Sequence, residues 1–182
     1  MPYSAKEKEL MLKLARNSIL TTFEDKPVKI PKDKFLDEKR GVFVTLTEHE
    51  NLRGCIGFPE PHYPLGEAIA QAAKSAAFSD PRFDEVTKEE MKDIKLEISV
   101  LTLPQPIEAD TPEDIMKQIK IGRDGLILEY AGQAGLLLPQ VPVEWKWDVK
   151  EFLKQICYKA GVEEDAWMRG NLYKFQAEVF SE

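Results

Sequence analysis

The residues most able to do chemistry in this chain stand together in Leu52-Arg53-Gly54-Cys55-Ile56-Gly57. A thiolate is the nucleophilic and redox-active form of cysteine, and a nearby guanidinium favours it over the thiol. On a strand, residues two apart share a face, which turns Arg53 and Cys55 one way, roughly 6 to 7 Å apart, and Leu52 and Ile56 toward the core. Gly54 and Gly57 leave room for a ligand or another backbone to approach. The pattern makes Cys55 a candidate nucleophile or redox centre, Arg53 the cation that tunes it or holds an anionic substrate, and Gly54 and Gly57 candidate binding positions. The alternative is a small buried hydrophobe at Cys55 with Arg53 at the rim, since free cysteine is among the most buried residue types.

A cysteine nucleophile usually needs a base, and the chain holds only His49 and His62. His49 falls at a predicted hairpin tip, about 20 Å of extended chain from Cys55. His62, in the loop Pro59-Glu60-Pro61-His62, reads as a solvated histidine more readily than as a partner of the thiol. The second cysteine, Cys157, shares a helical stripe with Leu153 and Ala160 and reads as core. Two histidines and two cysteines without ligand spacing predict no metal site, and no motif specifies a cofactor. Gly122-Arg123-Asp124-Gly125 lacks the Walker pattern and precedes a strand, so it reads as a tight turn. Trp145, Trp147 and Trp167 read as packing residues.

These residues need elements to hold them. Ser4 with Glu7 forms a capping box, and Leu10, Met11, Leu14, Ala15 and Ser18 follow on one face of a helix from about residue 4 to 20. Pro27, Pro31 and the charged run 32–40 predict a loop. Val42, Val44 and Leu46 alternate with polar or aromatic neighbours up to Glu48-His49-Glu50-Asn51, and the apolar pattern resumes at Leu52, which predicts a β-hairpin carrying the Cys55 segment. Pro64 opens an alanine-rich helix that ends at the turn Asp80-Pro81-Arg82-Phe83. Ile94, Leu96, Ile98 and Val100 predict a strand with one wet face. Leu126-Ile127-Leu128 and Leu136-Leu137-Leu138 predict a second hairpin, buried on both sides. Asp148 and Glu151 cap a helix through Cys157, Glu163-Glu164-Asp165 a short one around Trp167, and residues 173–179 alternate as a closing strand. About six mostly hairpin-connected strands among four or so helices favour an α+β fold with mostly antiparallel sheets.

Composition narrows the function. The chain has 182 residues, suited to a single domain, with 43% hydrophobic and 31% charged residues. Its formal net charge of −7, with no basic stripe, opposes nucleic-acid binding. Its apolar runs fall far short of a membrane span. The first residues show no apolar signal region, and two distant cysteines build no disulfide framework. A cytoplasmic protein with free thiols is expected.

Taken in order, Leu52-Arg53-Gly54-Cys55-Ile56-Gly57, Asp80-Pro81-Arg82-Phe83, Leu96-Glu97-Ile98-Ser99-Val100-Leu101, Gly122 with Asp124-Gly125-Leu126, and Leu137-Leu138-Pro139-Gln140-Val141 resemble the AMMECR-domain family. The likeness continues through Trp147, Phe152-Leu153 and Lys159-Ala160-Gly161 to the closing segment. It implies one AMMECR-type domain over residues 1–182, with two unequal lobes or subdomains separated by a cleft. It also implies a cleft bordered by several of Arg53, Cys55, Asp80, Arg82, Asp124 and Gln140. Memo-like and radical-SAM proteins are the partners it suggests; it supplies no reaction and no cofactor. Phe58 departs from the small hydroxyl residue that the resemblance leads one to expect, making the surroundings of Cys55 more apolar, and Val162 replaces a leucine. Two functions are compatible with these residues: an enzyme acting through Cys55, or a non-enzymatic binding or scaffold module for a protein or small-molecule partner.

Overall fold

The structure, a computed structural model, describes residues 2–182. The chain divides into two compact units, one comprising the sequence up to Leu101 together with Glu178–Glu182, the other Thr102–Ala177.

The first unit opens with α1 (Ala5–Phe23), started by the capping box in which Ser4 and Glu7 satisfy each other's backbone N–H groups. A single helical turn at Lys34–Asp37 follows. Strands β1 (Val42–Glu48) and β2 (Asn51–Phe58) form the expected hairpin, with His49 and Glu50 at positive φ in its tip. Helix α2 (Leu65–Phe78) starts immediately after Pro64, and β3 (Ile94–Leu101) pairs antiparallel with β1. Strand β8 (Ala177–Ser181) completes a four-stranded sheet of order β2-β1-β3-β8.

Val42, Val44 and Leu46 meet Ile94, Leu96, Ile98 and Val100 on one face of this sheet, and the buried stripes of α1 and α2 cover them. Each fully buried aliphatic side chain there contributes about 1.5–3 kcal/mol. The alanines of α2 bring that helix close: a Cβ added to Gly54 would lie 2.1 Å from the Ala76 carbonyl oxygen. Gly54 is therefore required for helix packing, a role beside the ligand approach that the sequence suggests.

The second unit contains β4 (Gln105–Pro106), α3 (Pro112–Lys117), β5 (Gly125–Tyr130), β6 (Gln133–Leu137), α4 (Val141–Glu144), α5 (Val149–Ala160) and β7 (Asn171–Phe175). Its sheet has the order β4-β7-β5-β6 with antiparallel pairing throughout. Leu126 and Leu128 join Phe152, Leu153, Ile156, Cys157 and Leu172 in its core. Asp148 caps α5 at the Glu151 N–H, and Gly161 ends it in a left-handed conformation.

Three expectations are corrected. Residues 173–179 are two strands in different sheets, β7 and β8, interrupted at Gln176, because alternation specifies faces and leaves pairing partners open. The second hairpin is not buried on both sides: Gln133 and Ala134 of β6 are exposed. Trp145 is a surface residue, 68% exposed and stacked against Trp147. No helix among the described residues is long and apolar enough to cross a membrane.

Candidate functional site

Strand β2 lies at the open edge of its sheet, where unpaired backbone groups face outward. Its register with β1 carries one irregularity: Leu46 pairs with Gly54 and Thr47 with Leu52, leaving Arg53 unopposed. This β-bulge changes the phase of the strand. Gly54, Ile56 and Phe58 stand opposite the core residues Leu46, Val44 and Val42, whereas Leu52 is aligned with Thr47 and is 43% exposed. Leu52 therefore leaves the core face that unbroken alternation assigns it, and alternation no longer relates Arg53 to Cys55.

The Arg53 guanidinium is committed elsewhere. Nε donates to Glu90 Oε1 at 2.9 Å, Nη1 to the Asp84 carbonyl at 2.8 Å, and Nη2 to the Glu85 carbonyl and Glu90 Oε2, both at 3.3 Å. Glu90 also accepts from the Thr87 N–H at 2.6 Å. Arg53 and this N–H together hold the Glu90 carboxyl at about 2, below its ordinary 4.5. Arg53 is thus a clamp that fastens the segment after α2 to the strand.

Asp80 fastens the same segment at a second point. Its buried carboxylate accepts from the Cys55 N–H at 2.9 Å and the Arg82 N–H at 3.1 Å. It also accepts from Arg82 Nε at 2.9 Å and Nη2 at 2.7 Å. Arg82 Nη2 donates onward to the Cys55 carbonyl at 3.2 Å. Both outward-facing backbone groups of Cys55 are satisfied by this acid and base, as a neighbouring strand would satisfy them. Arg82 is the first cause holding the Asp80 carboxyl well below the usual carboxylate range, assisted against burial by the two N–H donors. The guanidinium that reaches Cys55 is that of Arg82, and it meets the backbone.

The Cys55 side chain occupies the face carrying Thr45, whose hydroxyl donates to Sγ at 3.2 Å. Across the sheet Thr45 aligns with Cys55 on one side and Glu97 on the other. Burial raises the Glu97 carboxyl above its ordinary value. This thiol, hydroxyl and carboxyl row includes two residues, Thr45 and Glu97, that sequence reasoning did not select. Alternation places Glu97 on a polar face, but only register aligns it with Cys55. Gly57 is opposite Phe43, where a Cβ would meet the ring at 2.4 Å and the Val42 carbonyl oxygen at 2.3 Å.

Arg53, Pro81, Arg82, Phe83, Asp84 and Glu90 line a polar cavity of about 520 Å³. Arg82 lies with its guanidinium 5.4 Å from the Phe83 ring centroid and is half exposed. The structure thus gathers Arg53, Asp80, Arg82 and the Cys55 backbone at the β2 edge. Asp124 and Gln140 belong to the second unit. Asp124 is buried in the turn before β5, accepting from the Lys120 N–H at 2.9 Å and from Arg123 at 2.7 and 2.8 Å. Gln140 opens α4, its carbonyl accepting from the N–H groups of Val143 and Glu144. His62 pairs with Glu60 at the surface. Among the described residues no three His, Cys, Asp or Glu side chains converge as metal ligands.

The same architecture occurs in archaeal proteins. The crystal structure of an uncharacterised protein from Pyrococcus horikoshii is similar at a TM-score of 0.86 and 49% identity, covering 96% of this chain and 90% of that one. A Pyrococcus abyssi protein is 50% identical over 184 residues, 96% of this chain and 89% of its own length. A Methanothermobacter thermautotrophicus protein is 46% identical over 186 residues, 100% of this chain and 97% of its own. The AMMECR1 family model matches residues 12–180. Across both units, including the Cys55 segment and the Asp80 turn, the chain belongs to the AMMECR1 family.

Proposed function

We propose that this chain is a non-enzymatic binding module whose contact surface is the cavity between the β2 edge and residues 81–90. The observation that carries this reading is the division of labour among its charged groups. Arg53 and Glu90 hold each other and nearby backbone, and Asp80 holds the Cys55 backbone and Arg82, which makes the surface rigid before any partner arrives. Arg82 keeps its remaining donors at the surface beside Phe83, an arrangement suited to a carboxylate next to an apolar group on a partner protein.

The Memo-like and radical-SAM proteins implied by the family resemblance are the partners to try. Co-purification of each with the intact chain should succeed, and Phe83→Ser should abolish it while preserving the fold. Retention of every complex by Phe83→Ser, or no complex with the parent chain, would reject the reading. Arg82→Ala is the poorer variant because it also leaves Asp80 without its main partner.

A second reading, thiol chemistry at Cys55, is favoured by one observation. The Thr45 hydroxyl donates a hydrogen bond to Sγ, and Glu97 is the cross-strand partner of Thr45 on the next strand. Under this reading iodoacetamide modifies Cys55 faster than a model thiol at neutral pH, and Thr45→Val removes the excess rate. An unreactive Cys55 would exclude it.

A further inference from the structure

The second unit contains a cavity of about 310 Å³ lined by Thr102, Gln105, Arg123, Asp124, Lys174, Phe175 and Gln176. Its construction parallels a ligand site more than a packing gap, for three reasons.

First, its charge opposes that of the chain. Two cations, Arg123 and Lys174, face one carboxylate, Asp124, within a protein whose formal net charge is −7. Local positive charge of this kind concentrates anions.

Second, the cations are held in place with donors to spare. Asp124, only 1% exposed, takes Nε and Nη2 of Arg123. A guanidinium has five N–H donors, so Nη1 retains both of its own. Asp124 is itself fixed by the Lys120 N–H. Burial alone would raise its carboxyl, but Arg123 and that N–H outweigh burial and the net direction is down; the group stays charged and keeps hold of the arginine. Lys174 gives one hydrogen to the Gln118 carbonyl at 3.1 Å, at the end of α3, and retains two.

Third, the neutral lining also offers donors. The Gln176 N–H donates to Thr102 Oγ1 at 2.8 Å, leaving the threonine O–H to donate in its turn. Gln105, opposite Lys174 in the β4–β7 pairing, adds an amide.

A cavity with more donors than acceptors, net positive and pre-organised by a buried carboxylate, selects an acceptor-rich anion. We propose that it binds the oxyanion of a small metabolite, a phosphate or a carboxylate, through Arg123, Lys174 and Thr102. The volume exceeds what a bare phosphate fills and accommodates a small organic body behind the anionic group. The site lies within the second unit and does not depend on the cavity beside β2.

The test uses the intact chain in low salt, with inorganic phosphate and acetate titrated separately while backbone amide resonances are followed. Saturable shifts confined to Gln105, Asp124, Gly125 and Gln176 are expected with one probe or both, and the stronger probe identifies the oxyanion class. Lys174→Met should weaken binding at least tenfold. Lys95→Met, which removes an exposed charge elsewhere, should leave it unchanged. Arg123→Lys, which preserves the pairing with Asp124 but loses the fork, should weaken binding severalfold and serves if Lys174→Met does not fold. Absence of saturable shifts with both probes, or equal affinity in the Lys174 and Lys95 variants, would overturn the proposal.

Discussion

Asp80 and Asp124 present the same chemistry with different reach. Each carboxylate is buried, with 2% and 1% of its side chain exposed, and each holds an arginine that is half exposed, Arg82 at 53% and Arg123 at 48%. Asp124 accepts the Lys120 N–H four residues earlier and so stabilises its own turn. Asp80 accepts the Cys55 N–H twenty-five residues earlier and closes the edge of a sheet. A buried ion pair that joins distant elements carries tertiary structure; one that folds back on its own turn carries local shape.

The largest expected consequence is in stability. Asp80→Ala removes a carboxylate that receives four hydrogen bonds, and should lower unfolding free energy by about 3 kcal/mol. Asp124→Ala should lower it less. Chemical denaturation measures the difference, and amide hydrogen exchange locates it: the Cys55 amide should lose protection in Asp80→Ala, and only the Lys120 turn in Asp124→Ala. Equal losses from the two variants would break the comparison.

Next in size is Gly54→Ala. The added Cβ would fall 2.1 Å from the Ala76 carbonyl oxygen, a contact that α2 relieves only by moving. Overpacking of this kind costs roughly 1–3 kcal/mol. Movement of α2 would also pull the Asp80 turn from the strand, so the same Cys55 amide should lose protection. A full-stability Gly54→Ala would show that the helix is not seated against the strand as closely as its alanine stripe suggests.

Much of this architecture was legible in the sequence. The capping box at Ser4, the alanine stripe of α2 and the alternation from Ile94 to Val100 are local patterns, each sufficient to specify an element. The Asp80 motif was recognisable as a turn and its polar residues as noteworthy, but their bond to the Cys55 N–H depends on where α2 delivers the chain. Leu52 leaves the core face that alternation assigns it for a comparable reason. One unopposed residue shifts the phase of a strand, and nothing in Asn51-Leu52-Arg53-Gly54 announces it apart from the glycine. The Cys55, Thr45 and Glu97 row depends on the register of three strands, which no single strand encodes.

Glu90 gives the comparison a pH dependence. Its carboxyl is lowered in the folded protein from 4.5 to about 2, so the stabilisation is complete above its ordinary range and is lost as the pH falls from about 4.5 toward 2. Glu90→Gln should therefore destabilise by roughly 1–2 kcal/mol at neutral pH. The gap between variant and parent should close through that acidic window. Asp80, held lower still, should continue to stabilise the β2 edge below the pH at which Glu90 has ceased to contribute. A gap independent of pH would mean that Glu90 stabilises the loop without its charge, and the absence of any gap would mean that Arg53 holds the loop through the Asp84 and Glu85 carbonyls alone.

The smallest expected effect concerns Cys55. Its N–H and carbonyl do the structural work, and any residue except proline supplies those groups. Cys55→Ser keeps a polar atom within reach of Thr45 and should change stability by less than about 1 kcal/mol. Cys157 differs: it is fully buried in the second core, and burial raises its thiol. Iodoacetamide applied to the native protein should accordingly label Cys55 and spare Cys157. If Cys55→Ser instead destabilises as much as Asp80→Ala, the thiol itself is part of the fold, and the β2 edge is held by side-chain packing as well as by its acid and base.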